Sequence, residues 1–596
     1  MHLCNCANLF AAVGVSQANV LPMRSTMMDL PLTVSRILEF GRTNHAATEV
    51  TTWTPDGPEV STFGAIGARA AAFANALVDE LGIDGDQRIG TMMYNCSEHL
   101  EVFLGVTSMG AVFQPLNKQL MPDQITHIIN HSEDEVIVAD PRLLRMLVRV
   151  LPDCPTVRAV VFIGVDETLI TEALAALPEG VTGYRYEVLL DGRSTVFDWP
   201  TVDENTAAAI CYSTGTLGAP KGVAYSHRSL YLQSLELRTD DSYGITNGEK
   251  WLCCVPIYHV LSWGVPLAAF MSGAPMVFPG ADLSARRLSK IIATDMPQKA
   301  QGVPTIWTQL LVHYLNNPPS RMSLQEILVG GSPVPPALIR NWENLFGVDI
   351  VHLWGMTETS PVGTVARPPV GVSGETRWKY RVSQGRFSNL LEFRIVDEKG
   401  KVLDQNDRNQ GELQVRGQTV TGHYLHSATT EAGGDAATFR DKPVTDAEEK
   451  YTADGWLRTG DVGSITPDGY LTIHDRSRDV IRSGGEWIFS VQLENLITES
   501  KYVVECAVIG YPDATWGERP LAVTVLLAGV EPSKQTAEAL REELRDKLPS
   551  WMLPEYWAFV DSIDKTSVDK FDKVDLRGHL SDGTLDVIKL KGPGEK

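Results

Sequence analysis

Residues 206–226 read TAAAICYSTGTLGAPKGVAYS, and the fold follows from how this stretch is parsed. TAAAIC is a short apolar run of the kind that forms a buried strand, and KGVAYS is a second one. Between them lie three hydroxyls (Ser213, Thr214, Thr216), two glycines (Gly215, Gly218) and Lys221, with Gly222 just beyond. Glycine lets backbone N–H groups close on an anion, and hydroxyls and an ammonium add donors, so the segment suits a polyphosphate. A P-loop would read GxxxxGK[ST] and open straight onto a helix. Here the two glycines are too close together, and the chain returns into a strand before Ser226 caps a helix starting near His227. The expectation is a phosphate-binding hairpin tip outside the P-loop class.

Working outward, residues 61–82, STFGAIGARAAAFANALVDELG, carry a helical pattern that stops at Gly82. EVIVAD (135–140) and VRAVVFIGV (157–165) read as strands flanking a helix at PRLLRMLVRV (141–150). Strand, helix, strand at this spacing predicts a parallel α/β layer. Residues 426–454 are polar and aperiodic and read as a surface loop. TPDGYLTIHD (466–475) predicts a turn feeding a strand. Composition shifts after Asp475. In the tail, TAEALREELRDKLP (536–549) places Leu540, Leu544 and Leu548 on one helix face, with Pro549 as the stop.

With 596 residues the chain exceeds one ordinary core, so at least two domains are expected. Its net charge of -22 argues against nucleic acid as a partner, without forbidding a local cationic pocket for an anion. No apolar run is long enough for a transmembrane segment. Eight scattered cysteines without a paired CxxC read as thiols of a reducing, cytoplasmic protein. Residues 1–27 lack a basic leader and read as a disordered extension, or as sequence upstream of a start at Met27 or Met28.

Three further stretches carry chemistry. In HLWGMTETSP (352–361), Trp354 offers a flat face for a purine, Thr357 a hydroxyl and Glu358 a hard oxygen for Mg²⁺. In DGWLRTGDVG (454–463), Asp461 can accept two ribose hydroxyls. IDKTSVDKFDKVDLR (563–577) interleaves Lys565, Lys570, Lys573 and Arg577 with acids; by itself it reads as a solvated charged surface.

In this order and spacing, these segments resemble the adenylate-forming superfamily, across about residues 28–580. YSTGTLGAPKGV resembles its phosphate loop, WGMTET its adenine and metal motif, RTGD its ribose motif, DRSRDVIRSGGEWI (475–488) its hinge, and the stretch around Lys570 its C-terminal lysine motif. SGGEWI, VPIYHVLSWG (255–264) and GERP (517–520) are most similar to bacterial medium- and long-chain fatty-acyl-CoA synthetases. The resemblance implies an α/β fold: a large N-terminal domain of α/β subdomains plus a β-barrel-like subdomain, and a small mobile α+β C-terminal domain. The implied boundaries are 28–475 for the adenylation domain, 476–479 for the hinge and 480–596 for the small domain.

The implied activity is ATP-dependent ligation of a small carboxylic acid, a fatty acid, to coenzyme A through an acyl-adenylate, with AMP and pyrophosphate as products. ATP, Mg²⁺ and coenzyme A are the implied cofactors and co-substrates. By resemblance Lys570, Glu358 and Thr214 are catalytic, with Thr214 and Glu358 holding the metal. Ser213, Thr214, Gly215, Thr216, Gly218 and Lys221 bind phosphates. Gly330, Gly331, Ser332, Trp354, Gly355, Met356 and Thr357 enclose the base, and Asp461 and Arg476 fix the ribose. Arg478 is the hinge. Ser483, Gly484, Gly485, Glu486 and Trp487 line the CoA path, and His259, Trp263, Gly302, Val303 and Pro304 the acyl pocket.

The sequence departs from the pattern at Asp569, where glycine is common, at Asp564, where proline is usual, and at Phe489, where a small residue beside the CoA path is expected. Ligation of a short or unusual acid, such as methylmercaptopropionate or an aryl acid, stays open. So do a catalytically silent acyl-adenylate binder and a homodimeric assembly.

Overall fold

The computed structural model describes residues 25–164, 166–213, 219–426, 450–565 and 571–591. The chain divides into two units, 1–31 and 32–596. In the first, the described residues 25–31 form no helix or strand, and Met27 and Met28 are exposed. The expectation for residues 1–24 and that for the loop at 427–449 lie outside the described residues.

In the second unit the parallel layer forms as the spacing predicts. Seven strands run in the order Thr182–Arg185, Ala159–Phe162, Asp134–Ala139, Arg88–Met92, Val112–Pro115, Ala207–Ser213 and Lys221–Ser226. All pairs are parallel except the last, the hairpin that carries the hydroxyl-rich tip. Helix Phe63–Leu81 starts where the Thr62 side chain accepts from Ala65 N–H, and it ends at Gly82 with φ 61°. Ser226 caps helix His227–Leu237 by accepting from Ser229 N–H. Residues 141–150 form a 3₁₀ turn, Pro141–Leu143, and then helix Leu144–Val150.

A second sheet of thirteen strands has two characters. The run Asp349–Gly355, Glu326–Val329, Lys299–Gly302, Trp251–Cys253, Met276–Phe278 and Glu49–Thr54 is parallel, and Gly57–Thr62 adds an antiparallel edge strand beside Glu49–Thr54. Beyond Asp349–Gly355 every pairing is antiparallel, through Val362–Val365 and Gly385–Phe387 to Tyr470–Arg476, Leu457–Ile465, Gly411–Gly417 and Leu391–Val396. Among the described residues this antiparallel half is an extension of the same sheet and not a closed barrel. The strand bearing WGMTET is therefore the joint between the halves, the kind of switch point where α/β folds bind ligands.

The C-terminal part holds its own sheet of six strands and its own core around Trp557, Ile488, Leu493 and Leu540. Helix Lys534–Leu544 buries Ala537, Leu540 and Leu544 as the apolar spacing predicts, but ends four residues before Leu548. The residue ahead of Pro549 is disfavoured in helical backbone, and the chain tightens there, with Lys547 and Leu548 N–H both bonding Leu544 O. The described cysteines are all buried. No described helix is long and apolar enough to cross a membrane.

Candidate active site

The hairpin comes first. Ser213 and Lys221 are register partners at the end of its ladder. The Ser213 hydroxyl donates to Lys221 O at 3.3 Å, and the Lys221 ammonium lies 5.3 Å from the Tyr424 ring centroid. Thr214, Gly215, Thr216 and Gly218 lie outside the described residues. Leu425 N–H donates to Gly222 O at 2.8 Å, which lays the 421–425 segment along the hairpin. A Cβ at Gly222 would stand 3.1 Å from both Leu425 and the Tyr212 ring.

Facing the hairpin is the turn after Asp349–Gly355. The ladder bulges between Trp354 and Gly355, where a Cβ would fall 1.8 Å from Pro361 O, so only glycine fits. Met356 N–H then donates to the Thr359 hydroxyl at 3.0 Å, and Tyr225 OH donates to Thr357 O at 2.7 Å. This fixed 3₁₀ turn, Thr357–Thr359, holds Glu358 nearly buried, with Tyr424 OH donating to its Oε1 at 2.5 Å. Burial and then the Glu358 carboxylate push the Tyr424 phenol far above its ordinary range, so it stays a donor. Among the described residues no hydrogen bond reaches Glu358 Oε2. A carboxylate oxygen without a hydrogen bond, beside the hairpin expected to bind phosphates, fits a hard cation that takes its remaining ligands from water and phosphate.

The adenine and ribose motifs meet through a side-chain chain. Trp354 Nε1 donates to Asp461 Oδ2 at 2.8 Å, and Arg476 Nη1 pairs with Asp461 Oδ1 at 3.0 Å. Asp461 and Arg476 are register partners on neighbouring antiparallel strands. The flat-face role expected of Trp354 meets a ring only 8% exposed, packed against Gly363 and edge-on to Phe387. In this structure the indole orients the carboxylate. Across from it, Gly331 has φ 81°, and its Cβ direction points at Val303 Cγ1 (3.4 Å) and Trp263 Cζ2 (3.6 Å). The Gly330–Ser332 loop thus adjoins two of the residues expected to line the acyl pocket. Gly302 packs on Trp307, Pro304 opens helix Pro304–Asn316, and the His259 ring sits edge-on to Tyr258 at 4.7 Å.

SGGEWI forms a hairpin between Ile481–Ser483 and Glu486–Ile488, with Gly484 and Gly485 both at positive φ, as a two-residue turn requires. Trp487 Nε1 donates to Glu398 Oε1 at 3.2 Å, beside a cavity of about 490 Å³ bounded by Glu398, Glu412, Arg458, Arg482 and Trp487. The Ser483 hydroxyl accepts from Arg519 at 3.0 Å, and Arg519 is buried against Glu555. Phe489, read from sequence as a constriction of the CoA path, is 7% exposed. It packs with Val462, Val480 and Trp487 and stacks on His474, closing the core under the hinge.

Arg478 is exposed, and its carbonyl accepts from Arg577 Nη2 at 3.3 Å, while the neighbouring Asp479 takes Arg577 at 2.6 Å. Arg577 belongs to helix Lys573–Ser581, directly after the lysine-motif segment; Lys570 itself lies outside the described residues. The solvated-surface reading of 563–577 fails for two of its cations. Lys573, its side chain 10% exposed, lies between Glu494 (2.6 Å) and the Ser490 hydroxyl (2.7 Å), and Arg577 is held by the Arg478 carbonyl and Asp479.

Sequence reasoning missed Tyr424 and Lys450, and it read Arg577 as a surface charge and not as the partner of Asp479. Lys450 donates to Arg458 O at 3.4 Å; burial pulls its ammonium below the ordinary lysine range, with the Glu358 charge opposing. No local pattern marks Tyr424 or Lys450.

Residues 41–425 match the family described as AMP-binding enzyme, and residues 492–570 its C-terminal domain. The chain is 37% identical over 568 residues to a 3-methylmercaptopropionyl-CoA ligase of Ruegeria lacuscaerulensis, covering 94% of this chain and 99% of that one. It is 35% identical to a medium-chain-fatty-acid–CoA ligase of Ectopseudomonas oleovorans, covering 94% and 98%. In fold it is similar to a crystal structure of an anthranilate CoA ligase in complex with anthranoyl-AMP, at TM-score 0.79 and 22% identity, covering 94% of this chain and 100% of that one.

Proposed function

Since the chain belongs to the AMP-binding enzyme family, we propose that it is an ATP-dependent acid:CoA ligase that activates a fatty acid as its acyl-adenylate and passes the acyl group to coenzyme A. One observation carries this reading. Asp461, held by Trp354 and Arg476, and Glu358, held by Tyr424, converge beside the hydroxyl-rich hairpin.

The chemical difficulty is charge. A carboxylate must attack the α-phosphorus of ATP, and negative charge gathers on pyrophosphate as it leaves. Fixed donors and cations lower that barrier because they need no reorganisation when the charge develops. Thr214, Thr216 and the backbone of Gly215 and Gly218 bind the departing phosphates, with Lys221 beside them. Glu358 and Thr214 would hold Mg²⁺, which when bound offsets phosphate charge. Asp461 and Arg476 fix the ribose, and the segments Gly330–Ser332 and Trp354–Thr357 bracket the base. Lys570 contributes the cation at the attacking carboxylate.

The second half-reaction needs CoA at the carbonyl carbon, so the small domain, 480–596, turns about Arg478 and brings SGGEWI to the site. Domain boundaries at 28–475 and 476–479 follow from the same reading. The enzyme acts in the cytoplasm, as a monomer or homodimer distinguishable by light scattering.

A short sulfur-containing acid is the second reading, favoured by the 37% identity to the 3-methylmercaptopropionyl-CoA ligase. The test is pyrophosphate release with straight-chain acids of two to sixteen carbons, 3-methylmercaptopropionate and benzoate, each with and without CoA. Release that depends on a fatty acid supports the first reading, and an optimum at the sulfur acid the second. No release with any acid from protein that still binds ATP would leave a silent binder.

A further inference from the structure

VLSW, residues 260–263, forms one turn of left-handed helix. Its φ values are 45°, 56°, 56° and 52°, continuing into Gly264 at 76°. For Leu261 and Ser262 ψ is 45° and 44°, the mirror image of ordinary helix. Left-handed helix brings Cβ against the following carbonyl oxygen, and L-residues visit it singly, not four in a row. A β-branched residue such as Val260 is a genuine outlier there. Such strain persists only where the surroundings over-determine it, and it gathers at ligand sites.

The surroundings supply two side chains that do this. The Ser262 hydroxyl donates to Val255 O at 2.7 Å. Gln301 Nε2 donates to both Ser262 O and Ser262 Oγ at 3.0 Å. Ser262 and Gln301 are both fully buried. Val255 O is pinned in turn by Asn95 Nδ2 at 2.8 Å, and Asn95 Oδ1 accepts from Ile257 N–H at 2.9 Å. A polar knot therefore sits inside an apolar region, where an unsatisfied group would be costly, and it closes on the strained turn.

The clamp also fixes what the turn presents. Gln301 lies on strand Lys299–Gly302, which leads directly into Val303. Trp263 closes the turn. Trp263 Cζ2 and Val303 Cγ1 are the two atoms facing Gly331. Gln301 thus couples the two side chains that face Gly331, one through the turn and one through its own strand.

We propose that Ser262 and Gln301 are positioning residues for acid selection: by holding residues 260–263 left-handed they set Trp263 against Val303 and so fix the width of the acyl pocket beside Gly331. This rests on the ligase reading above.

Ser262→Ala, Ser262→Gly and Gln301→Met in the full-length protein test it, with kcat/KM measured over acids of two to sixteen carbons and KM measured for ATP. Ala deletes the hydroxyl and keeps the strain. Gly deletes more, yet accepts positive φ without cost. Met keeps the volume of Gln and removes its donor. Ser262→Ala and Gln301→Met are expected to lower kcat/KM for the preferred acid about tenfold and to move the chain-length optimum, a scale typical of reshaping an apolar pocket. KM for ATP should stay within about twofold in the same variants, and Ser262→Gly should remain closer to the parent than Ser262→Ala.

A purely structural role lowers the melting temperature and all acids in step, with the chain-length optimum unmoved. That result, or an unchanged chain-length profile in the folded variants, overturns the proposal. Should Ala fail to fold, Gln301→Met and Ser262→Gly decide alone. If the parent ligates no acid, the ligase reading fails; if it ligates acids and the variants keep its profile, only the clamp proposal fails.

Discussion

Asp461→Asn separates the binding role of this carboxylate from its structural one. Asp461 accepts from Trp354 on Oδ2 and from Arg476 on Oδ1. An asparagine has one acceptor oxygen. Turned towards Trp354, it keeps the buried bond as a neutral one and presents its amide donors to Arg476. The Arg476 side chain is 43% exposed, so it can swing into solvent, and that ion pair is worth at most about 1 kcal/mol. Weakening the charge-assisted bond to Trp354 adds about 1 kcal/mol. The stability loss is therefore about 2 kcal/mol, a shift of a few degrees at most in a chain of this size.

The nucleotide loses more. A carboxylate that accepts from ribose hydroxyls makes charged hydrogen bonds of about 1.5–3 kcal/mol each. Losing one such bond raises KM for ATP about 10- to 150-fold. The assay is pyrophosphate release at saturating acid with ATP varied, beside a thermal melt. A melt lowered by a few degrees with KM for ATP within twofold of the parent would refute the ribose assignment and leave Asp461 as a structural partner of Trp354.

Arg577→Ala strips the clamp from the Arg478 carbonyl and leaves Asp479, 8% exposed, without its 2.6 Å partner. The ratio of adenylation to thioester formation from supplied acyl-adenylate should change about tenfold, since the lost contact, about 1–2 kcal/mol, joins the hinge to the helix after Lys570; equal rates in both halves would contradict this. Gly355→Ala places a Cβ 1.8 Å from Pro361 O, which must displace backbone, and is expected to cost more than about 3 kcal/mol and appear as insoluble or low-melting protein. His352 is buried and its ring is held down to about 4, below an ordinary histidine. The unfolded chain then binds the proton first, so this contribution is complete above pH 6.5 and is lost as pH falls towards 4. Relative to His352→Gln, the parent should lose about 1.4 kcal/mol per pH unit across that window, read from denaturation midpoints at pH 7.5, 6 and 5.

What the sequence made legible is local. The hairpin at 206–226, the helix stop at Gly82 and the Ser226 cap each depend on a φ value or a cap that a few adjacent residues decide. The partners of the candidate site residues are distant in the chain. Tyr424 lies 66 residues from Glu358, and Asp461 lies 107 from Trp354. Their meeting depends on which strand pairs with which, and no periodicity encodes that. The same cause explains why 563–577 read as a solvated run: charge alternation looks identical whether a cation faces water or, like Lys573, a carboxylate and a buried hydroxyl.

A consequence follows for how the small domain turns. Arg577 grips Asp479 and the carbonyl of Arg478, while Lys573, four residues earlier on the same helix, is anchored to Glu494 and Ser490 of the small domain. Helix Lys573–Ser581 is thus tied by its first residue to Glu494 and Ser490 and one turn later to the Arg478–Asp479 segment. On the proposed rotation about Arg478, residues 571–581 would travel as one piece with the small domain's core, because breaking either anchor would strand a charge. The catalytic lysine assigned to position 570 would be delivered and withdrawn by the whole domain and not by its own loop, which is why the two half-reactions, more than overall activity, are the sensitive readout for Arg577.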